Sequence, residues 1–158
     1  MHLFVHADQR QFSLRDKDAR VTGTGWTDSA LTARVGAEPR ALAVVTARSD
    51  LVEAAVTVHS AAPPLLSDAS HVVEADLEVP SGTLMVSGPA DYPSQERSLD
   101  LAPGRYRARV SYVPSGPPDA DWNDFEYGEH YRYVVDLWPS PAPSSVAVLR
   151  QGPDVWDG

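Results

Sequence analysis

The feature that most constrains the fold is a two-residue alternation of apolar and polar side chains. In HVVEADLEV (71–79), the odd positions from Val73 onward are apolar and the even positions from Glu74 onward are acidic. RYRARVSYV (105–113) alternates arginines with tyrosine, alanine and valine. Side chains on a β-strand point to its two faces in turn, so this pattern is typical of strands with one buried face.

Other apolar segments have the same strand character, and short turns separate them. These segments cover residues 41–47, 52–59 and 130–138. The turns, rich in glycine and proline, lie at 80–82, 87–89, 102–104 and 114–118. With fourteen prolines and ten glycines, the chain has little room for long helices. The sequence therefore predicts an all-β protein, an antiparallel β-sandwich or open barrel with at most one or two short helices.

One segment, TDSALTARV (27–35), has helical character, and Thr27 or Asp28 is placed to cap its first turn. Residues 1–138 are predicted to form a single β-sandwich domain, since a chain of 158 residues is ample for one core. Residues 139–158 begin with the proline- and serine-rich PSPAPSS. We predict that they form a linker and a loosely held C-terminal tail.

The composition excludes several classes of site. The chain has no cysteine, so disulfides, thiolate zinc sites and thiol nucleophiles are excluded. Its net charge is −9, and residues 115–158 alone carry eight acidic and two basic side chains. Such an acidic surface repels phosphates, so we expect no direct binding of nucleic acid. The first residues lack the basic and long apolar regions of a signal peptide, and no stretch has the length of a membrane span; the expected location is the cytoplasm.

The strongest candidate for a functional site is the acidic, aromatic segment DADWNDFEYGEH (119–130). It holds five carboxylates and three aromatic side chains, with no lysine or arginine. Carboxylates attract a basic partner, while tryptophan and tyrosine are common anchors of protein interfaces. The predicted partner-binding residues are Asp119, Asp121, Trp122, Asp124, Glu126, Tyr127 and Glu129. The alternative, from residue type alone, is a solvated loop.

Metal and catalytic interpretations of this segment have less support. Asp119, Asp121 and Asn123 alternate as at the start of a calcium-binding loop. The sixth position then holds Asp124 instead of glycine, and the twelfth holds His130 instead of glutamate. Paired carboxylates also suit a glycosidase, yet five acids in one loop share a uniformly solvated environment. The chain has no nucleophile elbow, HExxH or glycine-rich phosphate loop, so we predict no enzyme, no metal and no cofactor.

A basic stripe of three arginines on one strand faces a predicted acidic stripe on another. The arginines are Arg105, Arg107 and Arg109, and the acids are Glu74, Asp76 and Glu78. Pairing across the sheet neutralises both stripes, so we interpret the arginines as structural and not as an anion site. Exposed pairs of this kind contribute only about 0–1 kcal/mol each.

Several short motifs occur in an order that resembles one known family. They are Gln11-Phe12, WTDSA from Trp26 to Ala30, the apolar stretch from Ala41 to Thr46, LDLAPGRY from Leu99 to Tyr106, and Val113-Pro114. In this order they resemble the competence protein J family over residues 9–114. The best-known member of that family inhibits the nuclease of the bacterial DNA-uptake machinery. The resemblance therefore implies a small acidic β-protein that blocks or escorts a partner, and it does not extend to the segment 119–130.

These observations predict a non-enzymatic protein-binding module, an inhibitor or immunity-like partner of a basic protein such as a nuclease or toxin. One alternative is a ligand-binding β-sandwich that takes carbohydrate or calcium through the segment 119–130. Another is a structural subunit of a larger assembly.

Overall fold

A computed structural model describes residues 1–116 and 129–153 of the chain. These residues contain eleven strands: β1 (His2–His6), β2 (Gln11–Asp16), β3 (Val35–Glu38), β4 (Ala41–Val45), β5 (Leu51–Val58), β6 (His71–Val79), β7 (Thr83–Ser87), β8 (Arg97–Asp100), β9 (Gly104–Pro114), β10 (Tyr131–Pro139) and β11 (Ala147–Arg150). One α-helix, α1 (Asp28–Ala33), and two short 3₁₀ turns lie in the connections.

The strands form a sandwich of two sheets. The larger sheet has the order β1-β5-β10-β9-β6-β11, and the smaller sheet has the order β3-β4-β2-β7-β8. Among the described residues, the pairs are antiparallel except for β5 and β10, which run parallel from Glu53 opposite Arg132 to Val58 opposite Leu137. Neither sheet closes on itself. The predicted antiparallel β-sandwich is therefore confirmed, with one parallel pair inside it.

The core lies between the two sheets because the apolar positions of the alternating strands face inward. On β6 the predicted inward-facing residues Val73, Ala75, Leu77 and Val79 are all buried. The smaller sheet contributes Phe12, Leu14 and Leu42, all buried as well. The predicted strand faces are confirmed, since one alternating set enters the core and the other faces outward.

The helix α1 is capped by Thr27, one of the two residues that the sequence predicts as its cap. Thr27 Oγ1 accepts a hydrogen bond from the backbone N–H of Ala30 at 3.1 Å. The helix ends at Arg34, which has a φ of 69° and donates its N–H to the carbonyl oxygen of Ala30 at 2.7 Å. The helix has six residues. Across the described ranges, no helix has the length and apolar character needed to cross a membrane.

The outer face of the larger sheet carries the predicted charge pairs. Register places Glu74, Asp76 and Glu78 opposite Arg109, Arg107 and Arg105. The nitrogen–oxygen distances are 2.9 Å for Arg109–Glu74, 3.0 Å for Arg107–Asp76 and 2.7 Å for Arg105–Glu78. The predicted pairing of the two stripes across the sheet is confirmed.

Two of these arginines are more buried than the sequence suggests. The side chains of Arg107 and Arg109 are 7% and 8% exposed. Arg107 donates to the carbonyl oxygen of Ser145 at 2.8 Å, and Arg109 donates to that of Pro63 at 2.6 Å, because two connections cross over the stripe. The expectation of 0–1 kcal/mol per pair therefore fits only Arg105, whose side chain is 31% exposed.

The strand β11 lies within the region predicted to be linker and tail. It pairs with β6 at the edge of the larger sheet, with Ala147 opposite Glu74. Arg150 Nη1 donates to the carbonyl oxygens of Leu66 and Ala69 at 3.0 and 2.6 Å. Residues 147–150 are thus bound to the sheet, while the domain boundary at residue 138 stays a prediction.

Candidate functional site

The predicted site segment belongs to the connection between β9 and β10, the two central strands of the larger sheet. Of the seven predicted residues, Glu129 is described and its side chain is exposed. The other six, Asp119, Asp121, Trp122, Asp124, Glu126 and Tyr127, lie outside the described residues, so their partner-binding role stays a prediction. The two ends of the connection meet, because the N–H of Ser115 donates to the carbonyl oxygen of His130 at 3.0 Å.

Strand directions place the two described ends of this connection at the end of the sandwich where β1 finishes. β1 is antiparallel to β5, with His6 opposite Leu51. β10 is parallel to β5, with Arg132 opposite Glu53. The last residue of β1 and the first residue of β10 therefore lie at the same end of the larger sheet.

The connection between β4 and β5 links the start of β10 to the end of β1. Arg48 Nη1 lies 2.8 Å from His130 Nε2. A guanidinium only donates, so Nε2 of His130 is the acceptor in this contact. On the other side, the carbonyl oxygen of Asp50 accepts a hydrogen bond from the N–H of Ala7 at 2.8 Å. Residues 46–50 thus contact both the start of β10 and the end of β1.

Three buried tyrosines lie in the core at the start of β10. The ring of Tyr112 meets those of Tyr133 and Tyr131 edge to face, with centroids 5.0 and 6.2 Å apart. The hydroxyl of Tyr133 accepts a hydrogen bond from the N–H of Ala47 at 2.9 Å. Burial raises the pKa of Tyr112 and of Tyr133 above the ordinary value, so both hydroxyls stay protonated. These tyrosines are packing residues.

Gly88 holds the connection that follows β7 against the end of β1. A Cβ atom at position 88 would lie 1.8 Å from the carbonyl oxygen of His6, so only glycine fits here. The N–H of Gly88 donates to Asp91 Oδ2 at 2.9 Å, and the N–H of Asp91 donates to the carbonyl oxygen of Gly88 at 3.2 Å. This turn fixes Asp91 beside β1 and leaves Tyr92 73% exposed.

Three carboxylates from separate connections meet in one cleft at this end. Asp8, Asp50 and Asp91 line it together with His6 and Tyr92, and its volume is about 450 Å³. We call it the acidic cleft. Asp50 has a φ of 93°, a backbone conformation that costs a non-glycine residue about 1–3 kcal/mol. Strain of this kind clusters at binding sites, which makes the acidic cleft a candidate functional site.

The carboxylates of the acidic cleft are hydrogen-bond acceptors that suit cationic side chains. Carboxylates form their strongest hydrogen bonds with guanidinium and ammonium groups. The exposed ring of Tyr92 offers a face on which a cation can lie. Within residues 1–116 and 129–153, no three histidine, aspartate or glutamate side chains are grouped in a way that could hold a metal ion.

A second cleft, of about 600 Å³, is lined by residues of β2 and of the segments around 17–21 and 87–96. One cationic side chain in this cleft, that of Arg15, is already paired. Arg15 Nη2 lies 2.6 Å from Glu96 Oε2, and Nη1 donates to the carbonyl oxygens of Lys17 and Ala19 at 3.2 and 3.1 Å. These bonds hold the two walls of the cleft together, so we assign Arg15 a structural role.

Sequence reasoning missed the acidic cleft. Asp8, Asp50 and Asp91 are far apart in the chain, and no motif includes any two of them. Each is a single acid in a connection beside the end of a strand, which is an ordinary position for an exposed aspartate. Only the strand order brings the three together.

The fold is a two-sheet β-sandwich with an acidic cleft at the end where β1 finishes. Two solved structures share the fold over most of the chain. One is described as ComJ, inhibitor of the DNA degrading activity of NucA, from Bacillus subtilis. It is 17% identical, with 89% of this chain and 96% of that chain covered and a TM-score of 0.69. The other is described as Crocagin biosynthetic gene J, with 18% identity, 88% and 96% coverage and a TM-score of 0.56.

The resemblance to the competence protein J family, drawn from residues 9–114, is confirmed at the level of the fold. No family model and no curated protein matches the sequence. At 17% identity the likeness to ComJ is a likeness of fold, and what ComJ inhibits is a property of ComJ.

Proposed function

We propose that this protein is a non-enzymatic inhibitor-type module that binds a basic protein of the nuclease kind. The binding surface in this proposal is the segment 119–130 together with the acidic cleft. The observation that carries it is the position of the acidic cleft at the end of the sandwich where the β9–β10 connection begins and returns. The shared fold with a nuclease inhibitor supports the same conclusion.

Charge gives the proposed contact its physical basis. A nuclease contacts DNA phosphates with lysine and arginine, so its substrate cleft is basic. The present chain has a net charge of −9, and −6 of it falls within residues 115–158. Complementary charge of this size accelerates association and makes it sensitive to salt.

His59 and Asp136 form a histidine–carboxylate pair to which we assign a structural role. His59 Nε2 lies 2.7 Å from Asp136 Oδ1, the geometry of an imidazole oriented by a carboxylate. A nucleophilic triad also needs a serine, threonine or cysteine on the other ring nitrogen. Among the described residues, no hydroxyl group is hydrogen-bonded to His59. The pair joins the end of β5 to β10, which is a structural role.

The test is an inhibition assay with any nuclease that a pull-down with this protein recovers from its source cells. We expect the protein to stop degradation of linear DNA when it is added in equal molar amount, and to degrade no DNA by itself. Asp8→Asn, Asp50→Asn and Asp91→Asn together should weaken inhibition, most at low salt. The matched control neutralises three exposed acids elsewhere, Asp18, Asp68 and Asp100, and should inhibit like the wild type. An equal loss of inhibition in both triple variants, or no inhibition by the wild type, would overturn the proposal.

A further inference from the structure

Residues 151–153, which follow directly after β11, lie over a buried histidine at the start of β6 and a buried arginine at the end of α1. We call these residues the strap. The N–H of Gly152 donates to Nδ1 of His71 at 3.1 Å, and Arg34 Nη2 donates to the carbonyl oxygen of Pro153. Gln151 Nε2 donates to the last turn of α1, at 3.2 Å from a backbone carbonyl oxygen. The strap is therefore fastened to β6 and to α1 by single hydrogen bonds.

The strap approaches the buried pair closely because position 152 is glycine. A Cβ atom there would lie 3.0 Å from His71 Cβ and from the carbonyl oxygen of Ser70, and 3.2 Å from Arg34 Nη1. Both side chains beneath Gly152 are buried, and Nη1 of Arg34 has no hydrogen-bond partner. The strap thus covers a cation whose hydrogen-bonding capacity is only partly used, beside an imidazole that is able to become a second cation.

The groups that face His71 offer no compensation for a positive charge on its ring. Arg34 is already a cation, and Tyr112 is neutral because burial raises its pKa well above the ordinary value. The rings of His71 and Tyr112 meet edge to face at 5.0 Å. Arg150, the charged residue next to the strap, donates to two backbone carbonyl oxygens. Within residues 1–116 and 129–153, no carboxylate forms a hydrogen bond or ion pair with His71 or Arg34. A proton on Nδ1 would therefore face the N–H of Gly152 and stand beside an unneutralised guanidinium.

The strap contributes little to the core. The side chains of Gln151 and Pro153 are exposed, and none of the strap residues is buried. Segments with few buried apolar contacts open at a lower free energy than the whole domain. Arg150 stays bound to the connection before β6 through its own hydrogen bonds. The strap can thus detach beyond Arg150 while the two sheets remain folded.

We propose that the strap is a pH-sensitive latch, which opens when His71 is protonated while the sandwich stays folded. Protonation removes the acceptor of the Gly152 N–H and places two cations side by side in the interior. Opening admits water to both charges, which removes the cost of holding them buried without a counter-charge. The strap shares no residue with the acidic cleft or with the segment 119–130, so the latch does not rest on the proposed function.

Hydrogen exchange of the Gly152 amide, followed by NMR between pH 6.5 and 4, tests the latch. Dividing the intrinsic exchange rate at each pH by the measured rate gives a protection factor. Burial first, and then the charge of Arg34, lower the pKa of His71 from 6.5 to about 4 in the closed form. Because opening returns His71 to water, we expect the protection factor of Gly152 to fall about 100-fold over this range.

Urea at low concentration separates opening of the strap from unfolding of the domain. A local opening exposes little surface, so the exchange of Gly152 should not respond to urea. The amide of Val110, in the central strand β9, should exchange faster as urea is added, because its exchange requires a large exposure of surface. A Gly152 amide with the same urea dependence as Val110 would overturn the proposal, and this comparison needs only the wild type.

Two substitutions assign the pH dependence to His71. The amide of His71→Gln supplies a donor for the carbonyl oxygen of Ala33 and an acceptor for Gly152 but does not titrate, so the protection factor should stay constant between pH 6.5 and 4. His59→Gln is the matched control, since His59 pairs with Asp136 at the opposite end of the larger sheet, and it should show the fall of the wild type. An equal fall in the wild type and in His71→Gln would also overturn the latch.

Discussion

His71 is a buried side chain whose two ring nitrogens are both used by the neutral form. Nε2 donates to the carbonyl oxygen of Ala33 at 2.7 Å, and Nδ1 accepts the N–H of Gly152 at 3.1 Å. Burial first, and then the positive charge of Arg34, lower the pKa of His71 from 6.5 to about 4, while the hydrogen bond to Ala33 acts in the opposite direction. A proton on Nδ1 would face the N–H of Gly152 and remove that hydrogen bond.

The stability of the protein should therefore fall in mildly acidic solution. Between pH 6.5 and about 4 the unfolded chain binds a proton at this position and the folded chain does not. The contribution of neutral His71 is complete above pH 6.5 and is lost as the pH falls toward 4, a change of about 3 kcal/mol in the free energy of unfolding. Urea unfolding of the wild type and of His71→Gln at several pH values between 6.5 and 4 measures this change in the free energy of unfolding. The difference in the free energy of unfolding between the two proteins should shrink as the pH falls, and a constant difference would contradict the prediction.

At the scale of the elements, the charge pairs between β6 and β9 differ in burial along the strands. Arg107 lies beneath the connection that contains Ser145, whereas Arg105 is near the open end of the stripe. Removing one partner of a buried pair leaves the other charge without compensation, and this costs more than the loss of an exposed pair.

Arg107→Ala should accordingly lower the free energy of unfolding by about 3 kcal/mol or more. Arg105→Ala is the matched control in the same strand, and it should cost about 0–1 kcal/mol. Chemical denaturation of the two variants gives both values. Equal costs would mean that the connection over Arg107 does not shield its ion pairs from water.

At the scale of the whole molecule, the proposed partner surface combines charge with an aromatic anchor. Neutralising Asp121, Asp124 and Glu126 together should slow association with the partner and flatten its salt dependence, because peripheral charges act on the encounter. Trp122→Ala should instead speed dissociation, at a cost of about 2 kcal/mol or more for an anchor residue. Stopped-flow binding and thermal melting separate these effects.

The opposite pattern assigns the segment 119–130 to the scaffold. In that case Trp122→Ala lowers stability by about 3–5 kcal/mol, as a core cavity does, and affinity in the folded fraction is unchanged. The triple neutralisation then leaves the association rate as in the wild type. Neutralising Asp18, Asp68 and Asp100 serves as the control for net charge alone.

The sequence by itself determined the features that depend on residues close together in the chain. Alternation along β6 and β9 set which side chains enter the core, because successive side chains on any strand face opposite ways. The cap of α1 was readable because Thr27 and Ala30 are three residues apart. The pairing of the acidic and basic stripes followed from matching charge on two strong strands, and the structure confirms it.

Only the tertiary structure decided the features that depend on which strands become neighbours. The parallel pairing of β5 with β10 brings Glu53 beside Arg132, and no local pattern in either strand indicates it. The same arrangement places Asp8, Asp50 and Asp91 around one cleft and covers Arg107 with a distant connection. Alternation is a property of each strand alone, whereas strand order results from the packing of the whole core, in which many weak contacts between distant residues act together.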